Sequence, residues 1–119
     1  MKKKVHPKVR RGDLFYAELG ETVGSEQRGR RPILVIQNDV GNANSPTVIV
    51  AVLTSKVKKM YMPTHLLVGR KEGLPERSVV LFEQITTIDR TRLREYLGTC
   101  DANIMKQADR AIKESLELQ

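Results

Sequence analysis

Three arginines, Arg28, Arg30 and Arg31, stand just ahead of the apolar run Ile33-Leu34-Val35-Ile36. A guanidinium is a planar fork of donors that fits phosphate oxygens and keeps its charge at any working pH, so the cluster suits a phosphodiester. Arg31 is the first choice, because it opens the run at a loop end; Arg28 and Arg30 read as electrostatic support. A second apolar run ends at Thr54, whose hydroxyl could donate to a phosphate oxygen, although a β-branched residue at a strand end needs no such role. His65 is the one side chain near these segments of a type that titrates around neutrality, yet a histidine within a strand is more often structural. Glu26, on a loop, could take a proton or simply be solvated. The general base is left open.

One cysteine, Cys100, cannot form an internal disulfide, and with only His6 and His65 beside it a protein-built zinc site is disfavoured. No metal site and no cofactor are expected. The formal charge of +7 attracts polyanions and makes nucleic acid the first partner to consider. No leader-like segment or bilayer-length apolar run is apparent, which points to the cytoplasm and away from a membrane.

These residues need elements to hold them. Residues 1–10, rich in lysine, read as a basic N-terminal arm, and 11–119 as a single domain whose order begins at the turn Arg11-Gly12-Asp13. Short strands are expected over 14–19, 32–38, 47–54, 64–68, 78–82 and 92–98. The second and third are near-continuous β-branched runs of the kind buried on both faces. Residues 20–31 and 38–46 read as loops, 69–77 as a turn, and 83–89 has no clear pattern. From Asp101, a plausible N-cap, Ile104, Met105, Ala108, Ala111, Ile112, Ser115 and Leu116 recur at helical spacing along one stripe. The fold class is mainly β with helices (α+β), a small barrel-like sheet of twisted antiparallel strands with a C-terminal helix.

The segments Arg11-Gly12-Asp13-Leu14-Phe15, Gly24-Ser25-Glu26-Gln27, Arg31 to Asn38, Ser45 to Thr54, Pro63-Thr64-His65 and Ser78 to Asp89 together resemble the MazF/PemK toxin family, most nearly its Gram-positive branch. The resemblance spans about residues 10–116. It implies an SH3-like barrel, a homodimer, a type II toxin-antitoxin role with a cognate acidic antitoxin, and sequence-specific cleavage of single-stranded mRNA, the branch suggesting a U-A-C-A-U-like site. It also implies that Arg31 is the catalytic arginine and Thr54 the catalytic hydroxyl. A ribonuclease without metal can use the neighbouring 2'-hydroxyl as nucleophile, leaving 2',3'-cyclic phosphate and 5'-hydroxyl ends, so DNA would be inert.

For the RNA path, Ser25, Glu26 and Gln27 on the long loop suit binding or gating. Gln37, Asn38, Thr64 and Gln84 could read base edges, Lys56, Lys58 and Lys59 could hold the backbone, and Phe15 and Tyr61 could stack. Each has a plainer reading as a turn, linker, core or surface residue. The helix stripe and strand ends are candidates for a dimer surface. Two other classes compete: a CcdB-like gyrase inhibitor on the same fold, and a non-catalytic RNA-binding module.

Overall fold

A computed structural model describes residues 8–20, 29–56 and 62–119. Six strands form one antiparallel sheet: β1 (Asp13–Glu18), β2 (Arg30–Val35), β3 (Thr47–Thr54), β4 (His65–Val68), β5 (Ser78–Asp89) and β6 (Leu93–Thr99). Their spatial order is β4-β5-β3-β2-β1-β6. The two β-branched runs lie at its centre, as their lack of alternation predicts. The expected loop over 38–46 contains a short helix instead, α1 (Asp39–Asn44), and the turn over 69–77 contains a 3-10 turn at Arg70–Glu72.

Each face of the sheet carries its own apolar cluster. Leu14, Leu34, Leu53, Val80 and Phe82 pack with the C-terminal helix α2 (Ala102–Leu116), which supplies Met105, Ala108 and Ala111. Asp101 caps that helix, its Oδ1 accepting from the Ile104 N–H at 2.9 Å. The stripe is thus taken up by this chain's own core and is no free dimer surface; Leu116, at its end, is exposed. The opposite face gathers Phe15, Ile33, Val35, Val50, Val52 and Ile88, together with Val9, which is buried two residues ahead of the Arg11 turn.

The sheet curls until its edges approach. Gly73, which follows edge strand β4 and its 3-10 turn, lies so close to β6 on the other edge that a Cβ there would sit 2.1 Å from the Leu97 carbonyl oxygen. Its φ of 106° also lies in the left-handed region where glycine is favoured. A second irregularity interrupts the pairing of β3 with β5. Ala51 is opposite Ile85 but the next residue, Val52, is opposite Leu81, so Phe82, Glu83 and Gln84 have no counterpart on β3. Such bulges bend a strand and re-aim its side chains. Here Phe82 turns into the core while Glu83 is pushed out to the surface.

Candidate active site

The side-chain alternation of a strand carries the second apolar face directly into a polar end. On β2 the buried Val35 and Ile33 are followed on the same side by Arg31, and on β3 Val50 and Val52 are followed by Thr54. Ile33 is opposite Val52, so running the same register two residues further brings Arg31 and Thr54 onto neighbouring strands of one face. Arg30, one residue back, belongs to the other side. It pairs with Glu95 of β6 and its guanidinium lies 5.1 Å above the Tyr16 ring. Arg30 is therefore engaged in holding β2 to its neighbours, which separates it from Arg31. Arg28 lies outside the described residues.

Thr54 lines a cavity of about 290 Å³ with Lys56, His65, Val79, Leu81 and Glu83. Its Oγ1 accepts from the Lys56 backbone N–H at 3.2 Å, a bond that turns the chain and leaves the hydroxyl proton available for donation. His65 enters from β4, where it is opposite Leu81. Its Nε2 is 2.9 Å from Glu83 Oε2, and the Thr64 hydroxyl donates to the other oxygen, Oε1, at 3.3 Å. Glu83 also borders a second cavity, of about 460 Å³, with Gln84, Thr87, Asp89 and Arg92. The bulge thus stands between two adjoining hollows.

Of the residues singled out in the sequence, Thr54, Lys56, Thr64, His65 and Gln84 are brought together around Glu83, with Arg31 on the adjoining strand. Arg31 is not in the lining of the smaller cavity. Asn38 is separate: it lies past the far end of β2 from Arg31, and its Oδ1 caps α1 by accepting from the Gly41 N–H at 2.8 Å. Gln37 is likewise structural, donating to Asn42 Oδ1 and to the Thr47 carbonyl. Phe15 is a core residue, 5.5 Å from Tyr96 edge to face. Ser25, Glu26, Gln27, Lys58, Lys59 and Tyr61 lie outside the described residues. The residue that sequence reasoning passed over is Glu83. Its one signal is position, a carboxylate directly after a continuous core strand, Val79 to Phe82.

Residues 10–116 match the family described as PemK-like, MazF-like toxin of type II toxin-antitoxin system. The chain belongs to that family. The toxin is 48% identical to endoribonuclease EndoA of Bacillus subtilis over 111 residues, covering 92% of this chain and 96% of that one. Its fold is also that of MazF from Deinococcus radiodurans, with a TM-score of 0.78, 24% identity and coverage of 92% and 97% of the two chains. A mycobacterial endoribonuclease solved with its cognate antitoxin has a TM-score of 0.74 at 24% identity, covering 95% and 97%. Among the described residues of the toxin, no helix is long and apolar enough to cross a membrane.

Proposed function

We propose that this toxin is a sequence-specific endoribonuclease that cuts single-stranded mRNA without a metal ion, by attack of the substrate's own 2'-hydroxyl. The observation that carries the reading is the run of one sheet face from buried valine and isoleucine into Arg31 and Thr54, beside the cavity that Lys56, His65 and Glu83 line. A phosphate seated over the ends of β2 and β3 meets a permanent cation and a hydroxyl donor. These stabilise charge that gathers on the non-bridging oxygens as the 2'-oxygen closes on phosphorus. Likeness to EndoA supports RNA as substrate.

Lys56, exposed at the cavity mouth, serves the RNA backbone, and Thr64 and Gln84 flank the bases. Ser25, Glu26 and Gln27 contribute from the loop before β2. Residues 11–119 form the toxin domain, two copies pair, and an acidic antitoxin covers the cationic groove in the cytoplasm. The mycobacterial toxin solved with its antitoxin supports that partner. Incubation with single-stranded RNA in EDTA, followed by analysis of the product ends, tests the reading. Cyclic phosphate at the 3' ends and clustering of cuts at one short motif are expected, and intact RNA overturns it.

A further inference from the structure

We propose that Glu83 is the proton acceptor in the cleavage and that His65 and Thr64 are its positioning residues, a proposal that rests on the ribonuclease reading above. Among the described residues, Arg31 and Thr54 do not serve as the base, since arginine does not give up its proton in proteins and a threonine hydroxyl is a donor at neutral pH. Glu83 is the carboxylate that both cavities share. Among the described residues, one of its oxygens accepts from His65 Nε2 at 2.9 Å and the other from the Thr64 hydroxyl at 3.3 Å. A carboxylate oxygen has room for more than one partner, so these bonds fix the group without using it up.

Exposure tells the two members of the pair apart. The His65 side chain is 9% exposed and that of Glu83 is 43% exposed, so RNA in the groove meets the carboxylate and the imidazole backs it from the wall. Among the described residues, the titratable or charged groups that face Glu83 are Lys56 and His65 around the smaller cavity and Asp89 and Arg92 around the larger. The bulge completes the device. Because Phe82, Glu83 and Gln84 are unpaired on β3, the carboxylate stands forward of the ladder that presents Thr54.

In the step itself the 2'-hydroxyl proton passes to a Glu83 oxygen while the 2'-oxygen forms its bond to phosphorus. The bond from phosphorus to the 5'-oxygen breaks, and that oxygen takes a proton from solvent water. The hydroxide left behind removes the proton from Glu83, which restores the carboxylate. Positioned proton transfer of this kind contributes on the order of 10²–10⁴ in rate.

The test uses the full chain in single-turnover cleavage, beside binding of an RNA with 2'-deoxyribose at the cut site. Glu83→Gln keeps size and exposure; it should lower cleavage by roughly 10²–10³ while the Kd for the deoxy RNA changes by less than about threefold. A substrate with sulfur in place of the 5'-bridging oxygen should not restore the rate, because its better leaving group relieves a missing acid and not a missing base. His65→Gln, which still offers a donor to Glu83, should cleave at least about tenfold faster than His65→Leu. Wild-type rates in Glu83→Gln, equal losses of binding and cleavage, or rescue by sulfur would each overturn the proposal. Intact RNA with the wild-type toxin overturns the ribonuclease reading first and this one with it, a pattern none of the other outcomes shares.

Discussion

Arg11 of the turn before β1 meets Asp109 of the last helix at 2.6 Å. The same guanidinium donates from Nε to the Ile36 carbonyl at 2.9 Å, so one side chain ties the turn before β1 to the end of β2 and to α2. Arg11→Ala should lower stability by about 1–2 kcal/mol, mostly through the carbonyl left without its donor, since a partly exposed ion pair contributes little. The urea midpoint measures it, and Arg11→Lys should recover only part, lacking the fork.

Acid should loosen the same corner. Asp39 is held below its ordinary value of 3.8 chiefly because it accepts from the Arg11 backbone N–H, and secondly from the Asn42 side chain. A carboxyl depressed in the folded state binds its proton more readily when unfolded. Its contribution is therefore complete above the ordinary value and is lost as pH falls through the folded one. Urea midpoints should drop on acidification below about pH 4, and Asp39→Asn should flatten that drop.

At the active site, Arg31→Ala should reduce single-turnover cleavage by at least about 10², the order associated with removing one donor to a charged transition state. Thr54→Ala should cost less, because the cation stays. Both variants should keep the wild-type thermal midpoint within a few degrees, Arg31 and Thr54 being only half-buried at strand ends.

Cys100 should be chemically silent. Burial, with Glu72, Asp101 and Asp13 nearby, pushes its thiol up to about 12, far from the thiolate form that reacts. Iodoacetamide at pH 8 should leave the folded toxin unlabelled and modify it stoichiometrically in urea. Rapid labelling of the native protein would contradict the burial.

Gly73→Ala should be among the most damaging single changes, with a loss above about 2 kcal/mol from backbone strain alone. The added methyl also meets the Leu97 carbonyl at 2.1 Å, so the neighbouring edge must move. Calorimetry should show a lower and broader transition.

The central strands were legible because burial on both faces writes itself as unbroken Val, Ile and Leu, as in Thr47–Thr54. The helix at Asp39–Asn44 was not, because Gly41 and three asparagines within or beside it favour turns. What makes it helical is tertiary: Asn42 is buried, and the Arg90 guanidinium, from the turn that follows β5, donates to the Asn42 and Ser45 carbonyls at its C-terminal end. The strand beyond Phe82 was hidden by the bulge, which breaks the two-residue alternation between Leu81 and Ile85. Arg31 and Thr54 could be named in the sequence, since a strand end is a local property. The meeting of His65 with Glu83 depends on how two distant segments align, and nothing local encodes it.

The surplus residues opposite the Ala51 to Val52 step give β5 slack at one place while the ladder holds firm on either side. Gln84, which has no counterpart on β3, can be replaced there to alter the groove while Glu83 keeps its bonds to Thr64 and His65. A protein engineer seeking a new nucleotide preference has there one interchangeable position, set apart from the ladder that keeps the molecule folded.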